Sequence, residues 1–126
     1  MPIERRVPGQ SATLPASVVT DGTVYTSGLV SAQALAAAPD GTVTPAPDQI
    51  DEVVATLQKV LVESGSSAAN VVRIDAYLAS AADLPQWNEA FLKLWPEPGP
   101  ARTTLIVGFA NPQVLFELNA IAVSDF

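Results

Sequence analysis

Arg102 and Glu117 stand fifteen residues apart in a chain that has no histidine and no cysteine, and they are its best candidates for chemistry. A guanidinium forks onto a small carboxylate through two parallel charge-assisted bonds, which a lysine ammonium cannot reproduce. A glutamate in the same site can accept a proton or orient a water. The segments that carry them, GPARTTLIVG (99–108) and VLFELNAIAV (114–123), read as strands, and an antiparallel connection through 108–113 would bring the two side chains together. The same pair serves equally well as a structural ion pair, or with Arg102 snorkelling at a strand end.

What is absent narrows the chemistry. Without histidine there is no Ser-His-Asp triad, no imidazole base and no imidazole metal ligand; without cysteine there is no thiolate and no disulfide. No imidazole- or thiolate-ligated metal is expected, and catalysis must run on carboxylate, guanidinium, hydroxyl, backbone amide and water. The net charge is −7, from 13 acidic and 6 basic residues, and the basic ones are scattered. Nucleic-acid backbones attract the opposite field, so no nucleic-acid partner is expected.

The elements that must position the pair follow from pattern. The 126 residues suit one domain with one core. No run approaches the about 18 apolar residues of a membrane span, and MPIERRVPGQ lacks the apolar stretch of a signal peptide, so a cytoplasmic location with no membrane partner is expected. Strands are predicted near 17–20 and 23–28 around the turn Asp21-Gly22. A long loop over 30–47 follows, with a short strand at 42–44 and the length of a lid or binding loop. Ile50, Val53, Val54, Leu57, Val60 and Leu61 then repeat at helical spacing, with Pro47 and Asp48 at the start and Gly65 at the stop. NVVRIDAYLAS (70–80) reads as a strand. Residues 82–95 form a second helix, with Asp83 as its N-cap and Leu84, Trp87, Phe91 and Trp95 on its buried stripe. The final strands cover 103–107 and 114–123. The order is β-β-(β)-α-β-α-β-β, an α+β layer of five or six strands and two helices.

Both faces of the last strand are largely apolar, yet two helices cover only one face of a sheet. The cheapest cover for the other is a further copy of the chain, which predicts a homo-oligomer with Glu117 and Asn119 near the subunit contact.

Ser27-Gly28, the helix end VLVESGSS, ANVVRIDAYLAS, DLPQWNEAF, PARTTLIVG and FELNAIAV together resemble the reactive-intermediate deaminases, the YjgF-type or L-PSP family, over about residues 15–124. The specific parts are Pro100-Ala101-Arg102-Thr103, Glu117 at its spacing from that arginine, and Asn88 ahead of an aromatic. The resemblance implies a chorismate-mutase-like α+β fold over 1–126, a mixed sheet with two helices on one face, assembled as a homotrimer with sites between subunits. It implies cofactor-free hydrolysis of enamines or imines such as 2-aminoacrylate to 2-keto acids and ammonia. Arg102 would hold the substrate carboxylate, Glu117 would position the water, and backbone beside Gly28 would fix the imine where a side chain would crowd it. Ser27, Asn88, Thr103 and Thr104 would line the site.

The chain also departs from the family pattern. Leu14 stands where many members carry a substrate-contacting tyrosine, Leu29 where glutamine is common, Thr103 where serine is usual and Thr104 where some carry cysteine. Those changes predict a more apolar pocket and a bulkier imine. The alternative is a non-catalytic trimer that binds a small carboxylate or a protein; ribonuclease activity fits the charge least well.

Overall fold

The computed structural model describes residues 2–37 and 40–125. Its elements are β1 (Glu4–Arg6), β2 (Ser17–Thr20), β3 (Thr23–Thr26), β4 (Leu29–Val30), α1 (Ala32–Ala36), α2 (Ala46–Glu63), β5 (Val71–Leu78), α3 (Leu84–Leu94), β6 (Ala101–Ile106) and β7 (Phe116–Val123). The sheet runs β1-β2-β3-β7-β5-β6, with β4 pairing β7 beyond the end of β3.

The β2–β3 hairpin closes as expected. Asp21 and Gly22 both take positive φ, 50° and 71°, the pair of left-handed residues that matches a tight turn to strand twist. Helix α2 also forms where its periodicity lies, but starts at Ala46 with Pro45 before it rather than at Asp48. It ends on Gly65 (φ 80°), with Ser66 N–H donating to the Leu61 carbonyl and Gly65 N–H to that of Val62. That crossed pair satisfies carbonyls the helix itself leaves open.

α2 and α3 lie on one face of the sheet. Val53, Leu57 and Leu61 of α2 and Trp87 of α3 are fully buried with Ile74, Ala76 and Leu78 of β5 and Phe116 and Leu118 of β7. The even positions of β7 therefore face the helices. The odd ones (Glu117, Asn119, Ile121) are half-buried on the opposite, uncovered face. Gln49, wholly buried, ties α2 to the chain before β7, donating to the carbonyls of Thr44 and Gln113 and accepting from Leu115 N–H.

Several expectations are corrected. No strand forms at 42–44: side-chain amides of Gln113 and Gln49 bind the carbonyls of Gly41 and Thr44, so this backbone is satisfied without a ladder. The loop expected over 30–47 holds the short helix α1, whose first turn is fastened by Glu52, accepting from Ser31 Oγ (2.6 Å) and Ala32 N–H (2.8 Å); residues 38 and 39 of that span lie outside the described ones. Asp83 makes no side-chain cap. Ser80 instead caps a 3-10 turn over Ala81–Asp83 that leads into α3.

The largest correction concerns strand order. β5 and β6 are parallel neighbours joined across α3, and β7 pairs antiparallel with the other edge of β5. β6 and β7 are not adjacent; the loop between them steps over the end of β5.

Candidate functional site

Arg102 lies level with Ile74 of β5, which in turn faces Ala120 of β7. Ile74 and Ala120 are core residues under the helices, so Arg102 projects on the helix-covered face. Glu117 lies opposite Tyr77 and projects on the uncovered one. With β5 between them and an offset of three residues, the two Cα atoms are about 14 Å apart on ideal strand spacings. The sequence expectation that one chain brings Arg102 and Glu117 together is therefore wrong, as is the ion pair that was its alternative.

Each residue has a built surrounding. The Arg102 side chain packs against α3, its guanidinium carbon 4.9 Å from the Phe91 ring centroid and 5.5 Å from that of Trp87, within the range of cation–π attraction. Its Nε donates to Thr104 Oγ1 at 2.9 Å and its Nη2 to Asn88 Oδ1 at 2.5 Å. Among the described residues no carboxylate pairs with it. Burial lowers its pKa from the ordinary value, though a guanidinium stays charged throughout the physiological range. Thr104 and Asn88 thus belong with Arg102, as the sequence suggested, but they hold the arginine. Thr103 does not belong there: it projects on the other face, where its hydroxyl accepts from Arg73 Nη2 at 2.7 Å, and Arg73 also pairs with Asp75.

Glu117 lines a cleft of about 1180 Å³ together with Gln10, Leu14, Ser27, Gly28 and Lys59. Burial raises its carboxyl pKa, because water that would solvate the anion is partly excluded. A Cβ on Gly28 would lie 2.5 Å from Glu117 Oε2, so the glycine makes room for the carboxylate itself and not only for a ligand. Ser27 Oγ donates to the Pro15 carbonyl at 2.7 Å and fastens the 7–16 segment over the cleft. Gln10 donates to the Gly28 carbonyl at 3.3 Å. Leu14 is 52% exposed, whereas Leu29 is 7% exposed and its side chain belongs to the core. Leu29 therefore touches the cleft only from beneath, and the apolar lining expected of it is not its role.

Two neighbours of Glu117 were missed. Gln10 sits in a stretch without periodicity and gave no signal. Tyr77 did: residues that alternate with the buried Ile74, Ala76 and Leu78 share the Glu117 face once β5 and β7 are paired. Its hydroxyl accepts from Asn119 Nδ2 at 3.3 Å. Tyr25 stands between Val18 and Ile121 as a cross-strand packing residue.

Gly28→Ala should cost little stability, since the group displaced is the free end of a flexible side chain. It should nevertheless lower any turnover that depends on Glu117 by about tenfold or more, since misplacement by an ångström is costly in a preorganised site. Steady-state kinetics beside thermal melting would check both parts.

No group of three or more metal-binding side chains occurs among the described residues, and no helix among them is long and apolar enough to cross a membrane. The model of the family described as Endoribonuclease L-PSP matches residues 6–124. The mitochondrial protein mmf2 of Schizosaccharomyces pombe is 30% identical over 105 residues, covering 82% of this chain and 83% of that one. Reactive Intermediate Deaminase A, chloroplastic, of Arabidopsis thaliana is 33% identical over 75 residues, 60% of this chain but only 40% of that protein. Relatives named for mitochondria and chloroplasts do not support the expected cytoplasmic location. A YjgF-family crystal structure from Neisseria meningitidis superposes with a TM-score of 0.80 at 26% identity, over 100% of this chain and 98% of that one. With the fold, the arginine on β6 and the glutamate on β7 in place, the chain belongs to the L-PSP family, also called the YjgF or reactive-intermediate deaminase family.

Proposed function

We propose that the protein hydrolyses small 2-imino or 2-enamino acids to 2-keto acids and ammonia. The observation that carries this is Arg102: a half-buried guanidinium, held in place by its own chain and flanked by two rings, with no counterion among the described residues of a chain that has 13 acids. A desolvated, unneutralised guanidinium favours binding of an anion, and its planar fork suits a carboxylate.

Because Arg102 and Glu117 lie on opposite faces of one protomer, a substrate that needs both is held between copies. The site then combines Arg102 and Asn88 of one copy with Gly28 and Glu117 of the next. A homotrimer supplies that arrangement and covers the open sheet face, where Tyr25, Leu105 and Val123 are exposed. Glu117 takes a proton from water as the oxygen bonds to the imine carbon and the C=N electron pair moves to nitrogen. The proton passes to nitrogen to complete the carbinolamine; Glu117 then takes the proton of its hydroxyl and hands it to nitrogen, and the C–N bond breaks so that ammonia leaves as the carbonyl forms. An enamine first gains a proton on carbon to become the imine. The clamp on the carboxylate holds the carbon against the water throughout.

Loss of 2-iminopropionate, generated in place by an amino-acid oxidase and trapped with semicarbazide, tests the proposal. Wild type should accelerate it, and Arg102→Ala should lower kcat/KM by about a hundredfold or more, the scale of losing a bidentate positioning contact. A second reading, a trimer that binds a carboxylate metabolite without turning it over, is favoured by Leu14, which brings no hydroxyl to the cleft. Glu117→Ala separates the two: a binder keeps its affinity, whereas an enzyme loses its rate. Despite the name of the family model, RNA cleavage is the least supported function in a chain of net charge −7.

A further inference from the structure

Five N–H donors project from a guanidinium in fixed directions, and the protein occupies two of those of Arg102. Nε bonds Thr104 Oγ1 and Nη2 bonds Asn88 Oδ1. The side-on fork of a guanidinium needs Nε–H, which Thr104 already holds, so a ligand cannot take that side bidentately. What remains is the end: both Nη1 hydrogens and the second on Nη2.

Thr104 is itself constrained. Its Oγ1 accepts from Arg102 at 2.9 Å and from the Trp87 indole N–H at 3.2 Å, and two donors use both lone pairs of a hydroxyl. Trp87 is wholly buried and packs on Phe116 and Phe91. The hydroxyl thus links a charged side chain to the buried aromatic core.

We infer that Thr104 is a positioning residue: through the buried Trp87 it fixes the plane and rotation of the Arg102 guanidinium, so that a ligand carboxylate is taken end-on by Nη1 and Nη2. Thr104 does not touch the ligand; it keeps the side edge of Arg102 from competing for it. The inference rests on Arg102 being the carboxylate clamp, and the experiment keeps the two apart.

Pyruvate serves as the probe, its binding followed by quenching of tryptophan fluorescence in a Trp95→Phe background so that Trp87 reports, with the kinetics of 2-iminopropionate measured alongside. Arg102→Ala tests the clamp: if it binds pyruvate as wild type does, the proposed function fails at its base. With that binding lost, the Thr104 series tests the inference. Thr104→Ser keeps the acceptor and should bind within about twofold of wild type. Thr104→Val removes it at nearly equal volume and should weaken pyruvate binding and raise KM by about tenfold, the scale of a lost hydrogen bond to a charged group, with kcat changed much less. Thr104→Cys, a weak acceptor of similar size, should fall between them. Should the valine protein fail to fold because the indole loses its partner, the serine and cysteine proteins still decide. Wild-type affinity in the cysteine or valine protein overturns the inference, as does a serine protein as weak as valine, since that would assign the effect to the missing methyl and to packing.

Discussion

Mixed assemblies of Arg102→Ala and Glu117→Ala copies are expected to regain about a quarter of wild-type turnover at equal mixing, although each variant alone is inactive; in a closed ring of identical contacts, a site that takes one residue from each of two copies is intact in that fraction of random pairings. The expectation follows from the sheet. Arg102 lies with Ile74 on the face under α2 and α3, and Glu117 lies with Tyr77 on the other. The sheet itself lies between the two side chains. Co-expression of the two variants at equal levels and assay of the unfractionated mixture with 2-iminopropionate would measure that quarter, whereas trimers purified to contain both copies should recover about a third. A site built within one chain would recover nothing, because every copy lacks one of its two residues. Recovery also fixes which surface the copies share: the uncovered sheet face beside β7 must meet the β6 edge of a neighbour.

The strand-order error shows what this sequence conceals and what it does not. Arg102, Asn88 and Glu117 were identified as residues, and α2 was legible because Val53, Leu57 and Leu61 keep a helical period that only one face of a helix satisfies. The adjacency of β6 and β7 was inferred from their short connection, while the stronger signal lay upstream. A strand, a helix and a strand in succession, as in β5-α3-β6, form a crossover whose strands run parallel and often side by side. That rule places β6 at the free edge of β5 and leaves the other edge to β7. β1 was invisible for another reason: Glu4, Arg5 and Arg6 are all exposed, with no alternation to read, and the strand exists only because β2 offers its edge. α1 depends on Glu52 from a different helix, a contact no local window contains. The role of Gly28 was half legible; that a glycine was needed could be argued from close approach, but the group that approaches is Glu117.

Replacing Glu117 by glutamine should abolish turnover, by about a hundredfold or more as for loss of a general base, and at neutral pH should raise the melting temperature. Burial disfavours the charged form of this carboxyl and lifts its pKa in the folded protein, and no cation of its own chain pairs with it among the described residues. Between the unfolded and the raised folded pKa the native state holds more protons than the unfolded chain. The stability contributed by Glu117 is therefore fully present below the unfolded pKa and is lost as pH rises through the folded one. Glutamine keeps the shape without that loss, so its advantage at pH 7 should close as the pH is lowered and the native glutamate becomes protonated. The same titration sets the kinetics: kcat/KM should climb as pH rises through the folded pKa, with its midpoint above the usual carboxylate range, because only the ionised form can accept the proton of water. Thermal melts of both proteins across pH 4 to 8, beside a pH–rate profile of wild type, would measure the two midpoints together. A melting temperature that falls at pH 7 would instead mean that a cation from a neighbouring copy already neutralises Glu117 in the resting assembly, and the midpoint of the rate profile would then lie below the ordinary carboxylate value. Where the melting temperature rises instead, a charge held partly out of water at this position trades folding stability against reactivity, which is the expected position of a base that must act without histidine.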